Sequence, residues 1–257
     1  MGKKVKIACI GDSVVFGLGI HEDREAYVWT TILEELLNGE EEPEVDDFAG
    51  SEFSEANHHH ETHESHVTDH DGGEADLPEP GRYEYEVRNF GLSGQAVMPG
   101  AFVPLGQMDT PLYKEMIEWE PDAVFMHVGG NDSHAYGWDE EAFRREYRKL
   151  AQDLVDRCGR GHVCLMESTY ALTDEGAEEI AEYGINNEVV MHKVNPIIAE
   201  TAEELGTALI DINTVFLSIP EMKGRATELY ADGIHPNEAG NEVIADVAYA
   251  IASGWEF

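Results

Sequence analysis

The stretch at 123–128, Ala-Val-Phe-Met-His-Val, limits the folds open to this chain more than any other feature. It is apolar at nearly every position and stops at Gly129-Gly130. A strand with one wet face alternates apolar and polar residues; a run without alternation is covered on both faces. Such cover comes from helices packed above and below a parallel sheet. The rest of the chain agrees. Short β-rich runs lie at 5–10, 83–90, 162–166 and 208–212. Between them, segments at 27–37, 111–119, 139–157, 187–205 and 236–251 carry helical signals. The first spaces Trp29, Ile32, Leu33, Leu36 and Leu37 as a helix face, and the fourth is interrupted near Pro196. Asp139 is a plausible N-cap, and Pro111 and Pro236 stand near first turns, where a missing N–H costs little. Five strands separated by helices predict an α/β fold, a five-stranded parallel sheet with helices on both faces.

In such a sheet, ligands bind outside the carboxyl ends of the strands. Four short motifs fall there or in the loop before the last helix. Gly11-Asp12-Ser13 ends the first strand and puts a hydroxyl on a sharp turn. Asp232-Gly233-Ile234-His235-Pro236 sets a carboxylate three residues before an imidazole, close enough to fix its tautomer. Asn89-Phe90-Gly91-Leu92-Ser93-Gly94 offers a glycine whose N–H could approach a ligand oxygen. Gly129-Gly130-Asn131-Asp132 offers a side-chain amide as a second donor. Each motif alone also reads as ordinary turn or cap chemistry.

Taken together, and in this order, the motifs resemble the blocks of the SGNH hydrolases, also called GDSL esterases. Val14 stands where the family name has leucine. The resemblance covers nearly the whole chain outside 38–82. It implies a three-layer α/β/α flavodoxin-like sandwich and a serine esterase. It further implies Ser13 as nucleophile, His235 as base, Asp232 as its orienting partner, and an oxyanion hole made by Ser13, Gly91 and Asn131. The implied acyl transfer needs no metal or organic cofactor. Asp12, Asp132 and Trp138 are the candidate substrate contacts, Trp138 either stacking on a sugar ring or capping the core. The wording around Tyr85-Glu86-Val87-Arg88, Asn131-Asp132-Ser133 and Tyr230-Ala231-Asp232 looks like bacterial carbohydrate O-acetylesterases. A short-chain lipase, lysophospholipase or thioesterase is the alternative within the class. A non-catalytic sugar- or metal-binding module on the same fold is the alternative outside it.

Charge narrows the partners. With 16 basic and 53 acidic residues, the chain carries −37. That disfavours nucleic acid and anionic membrane surfaces, which need clustered Lys and Arg. It also speaks against an acidic sugar unless Arg88 or Arg225 offsets it locally. A small-molecule or carbohydrate ester is the expected partner. Cys9, Cys158 and Cys164 are too few and too odd for a disulfide framework. The first residues read as a strand entering the core rather than as a signal peptide, and no apolar run reaches membrane-spanning length. A soluble cytoplasmic protein of one domain is expected.

The segment 38–82 breaks the alternation. It holds fifteen acidic residues against one basic, Arg82, and six of the 12 histidines. It reads as a solvated acidic insertion of biased composition, or as a lid over the site. Were it helical, His59, His63, His66 and His70 would share a face and could bind Zn²⁺, Ni²⁺ or Cu²⁺.

Overall fold

The computed structural model describes residues 2–21, 23–39, 83–220 and 223–257. Five parallel strands form one sheet: β1 (Lys3–Gly11), β2 (Tyr83–Gly91), β3 (Ala123–His127), β4 (Val163–Met166) and β5 (Ala208–Ile210), in the order β2-β1-β3-β4-β5. β1 pairs along its whole length with β2, from Lys3↔Tyr83 to Gly11↔Gly91, and with β3 from Ile7↔Ala123 to Gly11↔His127. The insertion at 40–82, with its four histidine candidates, lies outside the described residues.

Two-residue periodicity divides the core into two layers. Ile7, Cys9, Phe125, Cys164 and Met166 face Trp29 and Ile32 of α3 (Trp29–Asn38) and Ile244, Ala245 and Ala248 of α10 (Glu238–Ala252). Ala8, Ile10, Val124, Met126 and Leu165 face Met116 of α4 (Pro111–Trp119), Phe143, Tyr147 and Leu150 of α5 (Glu140–Cys158), and Ile197 and Ile198 of α8 (Asn195–Leu205). Helices on both faces make this the three-layer α/β/α sandwich. The strand at 123–127 is wholly buried, as its lack of alternation requires. Each large apolar side chain taken out of water there contributes roughly 1.5–3 kcal/mol.

Local chemistry shifts several boundaries. The helix expected at 27–37 begins at Trp29 and is preceded by a separate short helix: α2 (Arg24–Tyr27) ends at Val28, whose extended backbone starts α3. β5 stops at Ile210 because Asp211 caps the next helix, α9 (Ile212–Ser218), its carboxylate accepting from the Thr214 N–H. The helix expected at 187–205 starts as α7 (Asn187–Val189), widens to π geometry over Val190–Val194, and resumes as α8, with Pro196 in its first turn. Pro236 does not begin the closing helix. Asn237 caps it by accepting from the Gly240 N–H, and Pro236 instead bridges back to Tyr230. Four helices escaped the sequence pattern: α1 (Ser13–Phe16), α2, α6 (Asp174–Glu182) and α9, all but α6 too short to show a period. Cys9, Cys158 and Cys164 are free thiols, and burial pushes the Cys9 thiol up.

Candidate active site

Strand β1 has its sequence neighbour β2 on one side and β3 on the other, so the order reverses there and a crevice opens at the carboxyl ends of β1 and β3. Gly11 closes β1 with φ +153, and a Cβ on it would lie 1.7 Å from the His127 carbonyl oxygen. Only glycine lets the chain turn here against β3. Asp12 then caps the one-turn helix α1 by accepting from the Val14 N–H at 3.0 Å. Ser13 stands at the first position of that helix, and its N–H has no partner among the described residues.

The loop before α10 comes to meet it. The Tyr230↔Pro236 bridge and the Ala231 N–H donating to the His235 carbonyl at 2.8 Å close a tight turn, with Gly233 at φ +82. Asp232 Oδ1 accepts the His235 N–H at 2.9 Å and the Ile234 N–H at 3.4 Å. Its Oδ2 lies 2.7 Å from His235 Nδ1, and His235 Nε2 lies 2.9 Å from Ser13 Oγ. Residues 222 apart in sequence thus form one hydrogen-bonded row. Burial would raise the Asp232 pKa, but the hydrogen bond and charge of His235, with the two N–H donors, hold it below the usual carboxylate range.

The third expected component is only partly as anticipated. Asn131 Nδ2 donates to the Gln95 carbonyl at 3.0 Å, leaving one amide hydrogen, and Asn131 borders the recess beside Ser13. The Gly91 N–H is not free. It donates to Asn89 Oδ1 at 2.9 Å, and a Cβ at 91 would sit 2.3 Å from the Phe16 nitrogen. Gly91 therefore lets β2 pack against the turn that carries Ser13 instead of supplying a donor. Gly94, at φ +78, has an N–H without a partner among the described residues. It adjoins Gln95, whose carbonyl accepts from Asn131 Nδ2.

The three candidate substrate contacts have other work. Asp12 is 3% exposed and holds the Val14 N–H and His127 Nδ1, the latter at 3.0 Å. Asp132 is fully buried and anchors the 95–98 loop, accepting from Val97 at 2.8 Å and Met98 at 2.7 Å. Burial pushes its carboxyl up to about 7, with those two N–H groups pulling down and Asp12 pushing up. Trp138 takes the packing alternative, half-buried at 5.4 Å between ring centres from Phe143. Arg88 pairs with Glu86 and lies over Trp119, and Arg225 pairs with Glu228, so neither borders the recess beside Ser13.

The recess is about 10 Å³ and is also lined by His127, Ser168 and Thr169, none of them anticipated from the sequence. The one available signal was His127 itself, a polar residue in an otherwise apolar strand. Among the described residues no group of three or more His, Cys, Asp or Glu could hold a metal ion, and no helix is long and apolar enough to cross a membrane.

The comparisons with known proteins fit this geometry. The model of the GDSL-like lipase/acylhydrolase family matches residues 9–243. The chain belongs to that family. An acetylxylan esterase from Xylanibacter ruminicola is 25% identical over 180 residues, 65% of this chain. The match spans only 35% of that protein's length. Among solved structures, the acetylxylan esterase Axe2 from Geobacillus stearothermophilus superposes with TM-score 0.60 at 17% identity, covering 99% of this chain and 96% of that one. A lipase/acylhydrolase from Enterococcus faecalis gives 0.61 at 18%, covering 97% and 96%. At such identities these structures speak for the fold.

Proposed function

We propose that this protein removes O-acetyl groups from a carbohydrate, with Ser13 as nucleophile, His235 as base and Asp232 as the group that orients it. The observation that carries the proposal is the unbroken row from Ser13 Oγ through His235 to Asp232. The Asp232 carboxylate keeps the proton on His235 Nδ1 and leaves Nε2 to take the Ser13 proton as Oγ attacks an ester carbonyl. The oxyanion receives the Ser13 N–H, the spare Asn131 amide hydrogen and the Gly94 N–H; in acyl transfer each such donor commonly accounts for about 3–4 kcal/mol. His235 then protonates the leaving alcohol, and water hydrolyses the acyl-enzyme.

A short acyl group and a carbohydrate alcohol are both supported by the acetylxylan esterases among the relatives. The test pairs acetylated xylo-oligosaccharides with p-nitrophenyl esters of increasing chain length, using Ser13→Ala and a serine-directed phosphonate as controls. Turnover of acetyl esters, labelling of Ser13 and loss of both in the variant are expected. A folded wild type that neither turns over nor labels refutes the proposal. A preference for butyryl or longer esters replaces it with a short-chain acylhydrolase.

A further inference from the structure

Two buried polar groups that the mechanism above does not use face the recess beside Ser13. His127 and Ser168 are each 1% exposed, and both line it. His127 Nε2 and Ser168 Oγ have no hydrogen-bond partner among the described residues. Leaving such atoms unmatched costs about 1–3 kcal/mol each, and both belong to residues that line the same recess.

Both are held with care. Asp12 Oδ1 accepts, so His127 Nδ1 carries a proton toward it, and the tautomer with that single ring proton leaves Nε2 as an acceptor. The Ser168 backbone is gripped by side-chain amides. Its N–H donates to Asn195 Oδ1 at 2.9 Å, and its carbonyl accepts from Asn195 Nδ2 at 2.9 Å and Asn213 Nδ2 at 3.1 Å. These bonds fix the backbone from which the hydroxyl projects while leaving the hydroxyl itself free. A recess of about 10 Å³, lined by Ser13, His127, Ser168 and His235 along with Val14, Ile185 and Ile234, is near the smallest that takes one water molecule.

We infer that His127 and Ser168 seat the water that hydrolyses the acyl-enzyme. The inference rests on the esterase function proposed above. The atoms account for themselves. The water accepts the Ser168 O–H and donates one hydrogen to His127 Nε2. Its other hydrogen goes to His235 Nε2 as its remaining lone pair attacks the acyl carbon. The tetrahedral intermediate then breaks the bond from carbon to Ser13 Oγ, His235 returns the proton to Oγ, and the carboxylic acid leaves. Ser168 and His127 are thus positioning residues for the second half of the reaction only.

The experiment separates the two halves. Ser168→Ala and wild type, matched by thermal melt and circular dichroism, are mixed rapidly with p-nitrophenyl acetate, and the acetyl adduct on Ser13 is followed by intact mass. The variant is expected to release its first equivalent of p-nitrophenol at close to the wild-type rate. It then accumulates adduct, with deacylation slowed by at least ~10-fold, the scale of one lost hydrogen bond. Hydroxylamine, which attacks the adduct without needing the seat, restores turnover. No adduct accumulation, or acylation slowed in the same proportion, overturns the inference. Wild type that never forms an adduct instead defeats the esterase function on which it rests.

Discussion

Replacing Asp232 with asparagine exchanges one oxygen for an NH₂ group, and the geometry dictates which one. Oδ1 is fixed by the His235 and Ile234 N–H groups at 2.9 and 3.4 Å, so the amide oxygen of the variant must take that side. The NH₂ group is then turned toward His235 Nδ1, where a carboxylate oxygen stands at 2.7 Å. Two donors cannot face each other, so Nδ1 becomes the acceptor and the ring proton moves to Nε2. That is the atom 2.9 Å from Ser13 Oγ that has to accept the serine proton. A base with its accepting site occupied is lost, and the corresponding exchange in a serine-protease triad lowers kcat by about 10⁴. We expect Asp232→Asn to lower kcat/KM by roughly 10³–10⁴, or about 4–5.5 kcal/mol of transition-state stabilisation. Asp232→Ala should retain more activity than Asp232→Asn, because it removes the carboxylate without imposing the wrong tautomer. The assay is kcat/KM on p-nitrophenyl acetate at neutral pH. There Asp232 is ionised, since its lowered pKa confines its loss of charge, and of the stability that depends on it, to acid below the usual carboxylate range. An asparagine variant within tenfold of wild type, or more active than the alanine variant, refutes the hydrogen-bonded row as described.

Other substitutions probe the remaining parts. Asn131→Ala should lower kcat by roughly 10²–10³ with little change in KM, the cost of one oxyanion donor; an effect confined to KM contradicts that role. Gly91→Ala forces a Cβ to within 2.3 Å of the Phe16 nitrogen and should lower Tm along with activity; an unchanged Tm with lost activity would return Gly91 to the oxyanion hole. Asp132 has a folded pKa of about 7, above the ordinary 3.8, so the folded state keeps a proton that the unfolded chain releases. Its contribution to stability is therefore lost as pH rises between about 4 and about 7. Asp132→Asn should flatten the fall of Tm across that window relative to wild type, and an unchanged slope argues against the shift.

The layers and the residues that meet in the candidate site were legible in the sequence because both depend largely on local regularities. A run apolar on both faces, such as 123–127, has one common setting, the middle of a covered sheet. Asp232 and His235 are three residues apart, so their contact is a property of the turn. Ser13 needs only the sharp bend that Gly11 permits. Boundaries were less legible because caps compete with periodicity: Asp211 ends β5 early, and Asn237, not Pro236, opens α10.

What surrounds the reacting groups was decided by packing between segments distant in the chain. Asp12 and Asp132 carry the polarity of substrate contacts, yet each is consumed internally, one by His127 and the other by the loop at Val97 and Met98. Gly91 and Gly94 are indistinguishable by residue type. The Asn89 side chain takes the amide of the first and leaves that of the second. His127, the last residue of β3, and Ser168, two residues past the end of β4, lie 41 positions apart in sequence and became neighbours of one recess only when β3 paired with β4. The sequence by itself determined the sheet and its helical cover, because hydrophobic period acts over a few residues, and resemblance to a family marked Ser13, Asp232 and His235 as the candidates. The tertiary structure alone decided which donors stay free and which polar atoms face the nucleophile, because a hydrogen bond taken by one partner is closed to another, and the partners here come from opposite ends of the chain.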